Sequence, residues 1–280
     1  LRGIFNIHWV ADYRDGWYLN HVTSLMKSFA GKLMKKWEWH FEKKFLARAD
    51  IITTVDENLQ HNLYMLFNKT VHIIRNGFDS LKVLPNTFLP LTAKINLVHA
   101  GTLTPGQRFE FLADAVVELI EENKIRPEDL KLYFLGIIRQ DEQYSRICRY
   151  NEKLKEFIVT TDRLPREQAV SICTDADYLM AFTDENYTAV YAKCYDYLIA
   201  KSKILVLPDD KGLLSKFVCK GGYGYVFQNI EELKEFLTDS IQRKSNLELY
   251  VRNCADLNES SEDSRKYQAL KFLEILNCYV

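Results

Sequence analysis

Apolar runs of strand length alternate along most of the chain with segments whose apolar residues recur at helical spacing. This alternation is typical of βαβ units, in which helices connect parallel strands. Nine strands are predicted, at residues 5–10, 51–55, 71–74, 95–99, 130–135, 157–159, 178–182, 204–207 and 224–227. The pattern therefore predicts an α/β protein with mainly parallel sheets.

The stretch from Asn76 to Thr92 contains several glycine and proline residues and little periodicity, so it is the predicted domain boundary. Residues 1–81 are interpreted as the C-terminal part of a Rossmann-like domain and residues 82–257 as a second, complete one. Three strands are few for a free-standing open sheet, so we expect further strands before Leu1. Residues 258–280 are predicted to form a helix that packs back on the first domain. Its apolar side consists of Tyr267, Leu270, Phe272, Leu273 and Leu276.

Composition predicts a packed, soluble protein, because 47% of the 280 residues are hydrophobic and 13% are aromatic. A net charge of -1 argues against nucleic acid as a partner. No uncharged apolar run approaches the roughly 18 residues of a membrane-spanning helix. The six cysteines form no CxxC pair, which is simplest to explain by reduced thiols in a cytoplasm.

Charged residues follow the first predicted strand, at Asp12, Arg14 and Asp15. Ligands of open α/β sheets gather at the carboxyl ends of strands, so these three residues are candidates for a binding site. A local salt bridge between Arg14 and a neighbouring carboxylate is the alternative interpretation.

A basic amphipathic helix is predicted from Leu25 to Arg48, with seven Lys and Arg residues against two Glu. Its apolar residues repeat every four positions and form one stripe, made of Leu25, Phe29, Leu33, Trp37, Phe41 and Phe45. Such a helix suits an anionic membrane surface. Alternatively, the stripe packs on the sheet and the lysines are merely solvated; both interpretations can hold together.

The loop from His99 to Arg108 connects a predicted strand to a helix and contains Gly101, Thr102 and one arginine. Backbone N–H groups, hydroxyls and a fixed cation at such a place can cradle a phosphate. The loop has neither the GxGxxG spacing nor the Walker ending, so the standard nucleotide loops are absent. A purely structural βα loop is the alternative.

Lys193, Asp196 and Tyr197 lie three and four residues apart near the start of a predicted helix, so they share one face. A cation for a phosphate and a carboxylate for a ribose diol are thereby presented together. An intrahelical Lys–Asp pair is the alternative interpretation.

The histidines show no HxxxH or HxH spacing, and His8, His72 and His99, which fall in predicted strands, are interpreted as structural. We therefore predict neither a metal site nor a bound cofactor.

Taken in order, these motifs resemble those of glycosyltransferase family 4. The matching segments are Val10 to Trp17 (D-x-R-D-x-W), Phe41 to Val55 (E...ADxVxTVS), Asn76 to Asp79 (NGFD), Gly101 to Arg108 (G-x-L-x-x-x-R) and Lys193 to Leu198 (K-x-Y-E-Y-L). The resemblance implies a GT-B fold, with two Rossmann-like domains around a nucleotide-sugar cleft. It also implies a retaining, metal-independent transfer of a sugar from a nucleoside diphosphate to a glycan or lipid-linked acceptor.

Carried over by position, Arg108 would contact the donor diphosphate, Lys193 would lie close to it, and Asp196 would hold the ribose hydroxyls. The first domain would lie on the acceptor side, with Asp12, Arg14 and Asp15 as its candidate residues. Thr161 and Arg163, in the loop after the strand at 157–159, would flank the base. The enzyme would be cytoplasmic and peripheral to the membrane, and would act in polysaccharide synthesis.

The resemblance has departures. Thr188 stands eight residues before Asp196, where the family often has a glutamate, so that contact is absent or comes from Asp184 or Glu185. Gln107 replaces a lysine that is common near this position. A non-catalytic GT-B-like binding module or fragment is therefore an alternative function, and a nucleotide-sugar epimerase is a second one.

Overall fold

The computed structural model of the chain describes residues 7–16, 28–79, 83–185, 189–246 and 257–279. The chain divides into two compact units: Leu1–Gly77 with Glu259–Val280 form unit 1, and Phe78–Asn258 form unit 2. The sequence places the corresponding boundaries after residues 81 and 257.

The strands are β1 (Val10–Tyr13), β2 (Ile51–Thr54), β3 (Val71–Ile73), β4 (Ile95–Ala100), β5 (Leu130–Leu135), β6 (Ile158–Thr160), β7 (Tyr178–Phe182), β8 (Lys203–Leu207) and β9 (Gly224–Val226). The helices are α1 (Phe29–Leu46), α2 (Glu57–Phe67), α3 (Phe109–Glu121), α4 (Asp141–Cys148), α5 (Arg166–Asp175), α6 (Ala192–Ala200), α7 (Leu213–Lys220), α8 (Ile230–Ser245) and α9 (Arg265–Asn277), with one 3-10 turn at Glu152–Leu154.

Unit 1 contains a parallel sheet in the order β1-β2-β3. The prediction for its first strand is wrong, because the strand begins at Val10 and residues 7–9 are not part of it. Pairing with β2 sets the register: Ala11 lies opposite Ile52 and Asp12 opposite Thr53. Asp12 therefore lies inside the strand rather than beyond its end, and His8 precedes the strand.

Unit 2 contains a six-stranded parallel sheet in the order β6-β5-β4-β7-β8-β9. Its first strand, β4, lies between β5 and β7, which is the strand order of a Rossmann fold. Adjacent residues of β4 point to opposite faces, and Leu97 and Val98 are both fully buried, in different apolar clusters. Helices thus cover both faces, as parallel sheets require. In such a fold the ligand crevice lies at the carboxyl ends of the strands, where the order reverses.

Helix α1 faces the solvent with the side that the sequence predicts as apolar. We call this side the aromatic stripe; in the described residues it consists of Phe29, Leu33, Trp37, Phe41 and Phe45. Phe29 is 85% exposed and Trp37 is 63% exposed. The buried residues of the helix are Gly31 and Glu42, on the opposite side, and Glu42 accepts a hydrogen bond from Tyr13 Oη at 2.8 Å. The interpretation that the stripe packs on the sheet is therefore wrong. Leu25, which the sequence also assigns to the stripe, lies outside the described residues.

Helix α9, which belongs to unit 1, is shorter than predicted and buries a polar residue against the rest of that unit. Its buried residue is Gln268, whose Oε1 accepts from the backbone N of Arg75 at 2.9 Å. Leu270 and Leu273, from the predicted apolar side, are more than half exposed. The helix is held to unit 1 by polar contacts more than by apolar burial.

Candidate functional site

A cavity of about 700 Å³ lies in unit 2 at the carboxyl ends of β4 and β5. Its lining contains five of the residues that the sequence assigns to donor binding. They are Gly101, Thr102, Arg163, Lys193 and Asp196. The cavity therefore occupies the place where a Rossmann fold binds its ligand.

Glycines end both strands that open into the cavity. Gly101 follows β4 with φ +94°, and Gly136 follows β5 with φ +87°. Both angles lie in the region that favours glycine. Among the described residues, no heavy atom beyond Gly101 and its two chain neighbours lies within 4 Å of the position that a Cβ at Gly101 would occupy. The strand end is therefore open to close approach by a ligand.

Lys193 lines the cavity from the first turn of α6. Its Nζ donates to the carbonyl oxygen of Thr102 at 2.6 Å and lies 3.1 Å from His99 Nε2. Burial lowers the pKa of Lys193 to about 8. The ammonium is therefore poorly solvated and loses its proton more readily than an ordinary lysine. A bound anion would stabilise the charged form.

His99 and Tyr197 fix the end of β4. His99 is fully buried, its Nδ1 lies 3.0 Å from the Met180 carbonyl oxygen, and burial lowers its pKa to about 3. Tyr197 Oη accepts from the backbone N of Ala100 at 3.0 Å and donates to the Met180 carbonyl. His99 has the structural role that the sequence predicts, and as a neutral imidazole it also contacts Lys193.

Asp196 lies one turn after Lys193 and is paired with Arg166. Its Oδ1 accepts from Arg166 Nη2 at 2.5 Å and from Nε at 3.1 Å, and this bond raises the pKa of the guanidinium. Within the described residues, no partner donates to Asp196 Oδ2. That oxygen is placed to accept from a ligand hydroxyl.

Two further arginines line the cavity, Arg139 after β5 and Arg163 after β6. Arg139 Nε lies 2.7 Å from an oxygen of Asp162, and the backbone N of Arg163 donates to the same carboxylate at 2.6 Å. The hydrogen bond from the backbone N–H of Arg163 is the main cause of a lowered pKa of Asp162, and the bond from the Arg139 side chain lowers it further. With Lys193 and Arg166, the lining thus contains four basic side chains and the single carboxylate of Asp196.

Two residues predicted to bind the nucleotide-sugar donor, Arg108 and Thr161, do not line the cavity. Arg108 precedes α3, is about half exposed, and pairs with Glu185 at 3.2 Å. Thr161 Oγ1 accepts from the backbone N of Gly136 at 3.2 Å, which ties the loops after β5 and β6 together. The structure therefore brings Lys193 and Asp196 together, whereas the role of Arg108 stays a prediction.

Gln107 and Asp184, named above where the sequence departs from the family pattern, both have structural partners. Gln107 is buried, and its Nε2 donates to the Phe182 carbonyl at 3.0 Å. Asp184 accepts from Thr104 Oγ1 at 3.1 Å, and its carboxylate lies 2.4–2.6 Å from where a Cβ of Gly106 would be. Thr188 lies outside the described residues.

The strand-end candidates Asp12, Arg14 and Asp15 belong to unit 1. Asp12 Oδ1 accepts from Thr53 Oγ1 at 2.7 Å, and its Oδ2 accepts from Arg14 Nε at 2.8 Å. The local salt bridge offered as the alternative is thus present. Arg14 also lines a second cavity, in unit 1, while Asp15 does not. Trp17, the last residue of that motif, lies outside the described residues.

Sequence reasoning missed Arg139 and Arg166. Neither belongs to a quoted motif, and Arg166 reaches Asp196 across 30 residues of sequence. The available signal was weak: Arg166 follows Pro165, which ends the loop that the resemblance assigns to the base.

Comparison of the structure with solved proteins gives the fold. The structure of Anabaena HepE in complex with UDP-glucose matches at a TM-score of 0.65 and 12% identity, over 99% of this chain and 74% of HepE. WaaG, a glycosyltransferase involved in lipopolysaccharide biosynthesis, matches at 0.60 and 14% identity, over 93% of this chain and 74% of WaaG. The fold is GT-B. No protein-family model and no curated protein sequence matches the chain.

A third GT-B structure is S. aureus TarM, solved with fondaparinux, alpha-GlcNAc-glycerol and UDP. It matches at a TM-score of 0.59 and 14% identity, over 90% of this chain and 48% of TarM. The chain therefore spans about half the length of TarM.

Two further features of the described residues concern metal ions and membranes. No group of three or more His, Cys, Asp or Glu side chains is placed there to hold a metal ion. None of the helices in that part of the chain combines the length and the apolar character needed to cross a bilayer.

Proposed function

We propose that this protein transfers the sugar of a UDP-sugar to a glycan or lipid-linked acceptor and releases UDP, with retention of configuration and without a metal. The observation that carries the proposal is the cavity at the carboxyl ends of β4 and β5, where Lys193 and Asp196 lie side by side. The UDP and UDP-glucose bound to the GT-B protein HepE support the choice of donor.

The chemistry of the cavity suits a diphosphate leaving group. Negative charge grows on the diphosphate as the bond to the sugar breaks, and fixed cations lower the energy of that state. Lys193 and the three lining arginines would supply positive charge in place of a metal ion, and the loop that begins at Gly101 would supply backbone N–H groups. Asp196 Oδ2 would accept from the ribose hydroxyls.

We expect UDP to bind more weakly as the pH rises. Only the ammonium form of Lys193 attracts a phosphate, and with a pKa of about 8 this form disappears over the range from pH 7 to pH 9. The affinity should therefore fall roughly tenfold between those values. Isothermal titration of the protein with UDP at a series of pH values measures this.

Burial also keeps four other groups in or near the cavity from titrating in this range. It raises the pKa of Cys173 and of the neighbouring Cys194 to about 12, raises the pKa of Tyr197 well above its ordinary value and lowers the pKa of His99 to about 3. The control is Lys193→Arg, whose guanidinium keeps its proton, so that its UDP affinity should not vary with pH. Failure of UDP to bind at any pH would contradict the proposal. UDP-glucose binding without transfer or hydrolysis would support the non-catalytic alternative.

We propose further that α1 binds an anionic membrane surface. Lys32, Lys36 and Lys43 lie along one edge of the aromatic stripe by helical spacing, and Lys43 Nζ lies 5.1 Å from the ring centre of Trp39. An exposed apolar stripe beside lysines is the arrangement that inserts at a lipid interface. Membrane binding would bring the enzyme to a lipid-linked acceptor. The role of WaaG in lipopolysaccharide biosynthesis supports this class of product.

Reversing these charges should release the protein from anionic vesicles. Each basic residue near such a surface contributes about 1 kcal/mol, so the triple variant K32E/K36E/K43E should bind at least about a hundredfold more weakly in cosedimentation. The matched control reverses three exposed lysines of unit 2, Lys124, Lys153 and Lys155. Equal binding by neutral and anionic vesicles would remove the membrane proposal.

A further inference from the structure

One side chain of α4, Arg146, is bonded at several points to the loop between β4 and α3. We call this loop, residues 101–108, the donor loop. The Nη1 of Arg146 lies 3.4 Å from the Thr104 carbonyl oxygen and 3.3 Å from that of Pro105. Its Nη2 donates to the Gln107 carbonyl at 2.8 Å. One guanidinium therefore holds the turn in the second half of the donor loop.

Two other side chains occupy the rest of this guanidinium. Glu110, in the first turn of α3, accepts from Arg146 Nε at 2.6 Å and from Nη2 at 2.5 Å. Gln143 Oε1 accepts from Nη1 at 3.0 Å. Five N–H groups in a planar fork therefore meet acceptors on three sides. A lysine has three donors on a single atom and does not reproduce this set.

The carboxylate of Glu110 keeps its charge in this arrangement. Burial raises the pKa of Glu110, but the hydrogen bonds from Arg146 and from its own backbone N–H hold the pKa below its ordinary value. Arg108 lies close enough for its charge to lower this pKa as well. By pairing with Glu110, Arg146 neutralises a carboxylate that would otherwise attract the arginine predicted to contact the diphosphate.

The end of the donor loop is fixed from two sides. A planar trans peptide group points its carbonyl and its N–H in opposite directions. The Gln107 carbonyl accepts from Arg146, while the N–H of the same peptide group, on the following residue, donates to the Thr183 carbonyl at 3.0 Å. The backbone from which the Arg108 side chain starts is therefore held between α4 and the end of β7.

The start of the donor loop lies in the cavity. Gly101 and Thr102 are part of its lining, and the Thr102 carbonyl accepts from Lys193 Nζ at 2.6 Å. The N–H of the same peptide group, on Leu103, donates to Gln140 Oε1 at 3.0 Å. Because Gln140 directly precedes α4, the same helix is bonded to the start and to the end of the loop.

We propose that Arg146 is a positioning residue for the donor diphosphate. It holds the donor loop in the position at which the backbone N–H groups after Gly101 and the side chain of Arg108 meet the phosphates. Arg146 lies outside the cavity lining, so it acts through the loop and not on the ligand. The inference rests on the proposed glycosyl transfer and deepens it. Placement matters at this scale, because a displacement of about 1 Å at an active site can cost about a hundredfold in rate.

The test compares UDP with uridine, which lacks the diphosphate, by ligand-observed NMR. Arg146→Gln should weaken UDP binding by about tenfold or more and change uridine binding by less than about twofold. Arg146→Lys keeps the charge opposite Glu110 but has fewer donors, so it should weaken UDP binding by about threefold or more and less than Arg146→Gln does. A general loss of stability would weaken both ligands, so the ratio of the two affinities measures positioning.

Lys153→Gln is the matched control, because Lys153 pairs with Glu121, the last residue of α3, at 2.6 Å. It should leave both affinities unchanged. Wild-type UDP affinity in Arg146→Gln, or an equal loss of UDP and uridine, would overturn the proposal. If that variant does not fold, a wild-type ratio of the two affinities in Arg146→Lys would overturn it equally. Absent UDP binding by the unchanged protein would refute the donor assignment itself, whereas UDP binding that neither Arg146 variant weakens would refute this inference alone.

Discussion

Lys193→Met should weaken UDP binding roughly a hundredfold without lowering the melting temperature of the protein. The ammonium is partly buried in the cavity, where a charge-assisted contact with phosphate is stronger than in water. Methionine has a similar length and no charge. Isothermal titration with UDP and a thermal melt of the same sample measure both effects.

The expected stability follows from the direction of the pKa. Because burial lowers the pKa of Lys193, the charged form is less favourable in the folded protein than in the unfolded chain, and it costs stability at pH 7. That cost begins to fall as the pH rises above about 8, where the folded protein releases the proton, and it is gone only above the ordinary lysine pKa of 10.5. Methionine removes the cost at every pH.

Lys153→Met is the matched control, because Lys153 is half exposed in unit 2, pairs with Glu121 at 2.6 Å and lies outside the cavity lining. It should change neither UDP affinity nor its pH dependence. Wild-type affinity in Lys193→Met would show that Lys193 does not face the diphosphate. A melting temperature that falls sharply in the same variant would show instead that its contact with Thr102 is mainly structural.

The sequence predicts the sheets well because buried parallel strands are nearly continuous apolar runs. The strand Leu130–Leu135 has the predicted bounds. The apolar run predicts a first strand that ends at Val10, whereas pairing with β2 starts the strand there and takes Asp12 into it. The hydroxyl of Thr53 satisfies that carboxylate, which an apolar pattern does not reveal.

Helix α1 shows what an amphipathic pattern does not predict. Periodicity groups Phe29, Trp37 and Phe45 on one face, but it does not say what that face contacts. The opposite face turns to the sheet because Glu42 accepts from Tyr13, and burial together with this bond raises the pKa of Tyr13. The glutamate of the family's helix motif thus has a structural partner here.

The candidate site was predictable where its members are close in sequence. Lys193 and Asp196 share one helix face, and Gly101 ends a strand, so local rules place them. Arg166 was not predictable in this way, because its contact with Asp196 joins two helices, α5 and α6, through tertiary packing.

Gly77→Ala should destabilise unit 1 by about 1–3 kcal/mol and release α9. A Cβ at this position would lie 2.6 Å from the backbone N of Arg265 and 2.6 Å from the carbonyl carbon of Ser264. Both are main-chain atoms that cannot rotate away. Gly77 does not have a left-handed φ, so the expected cost is steric. The sequence predicts a turn at this NGFD motif, whereas the structure explains the glycine by close approach of a helix.

Hydrogen exchange of α9 measures the effect. In the variant, the backbone amides of α9 should lose protection, because the first turn moves away and the Gln268–Arg75 contact at 2.9 Å breaks. The control is Gly222→Ala, in unit 2, where φ is +63° but no heavy atom of the described part of the chain, apart from the neighbouring residues, lies within 4 Å of the added Cβ. It should cost only about 1–2 kcal/mol of left-handed strain and leave α9 protected.

UDP affinity, which depends on unit 2, should be retained in the same variant. Full protection of α9 in Gly77→Ala would mean that the helix tolerates a side chain at this contact.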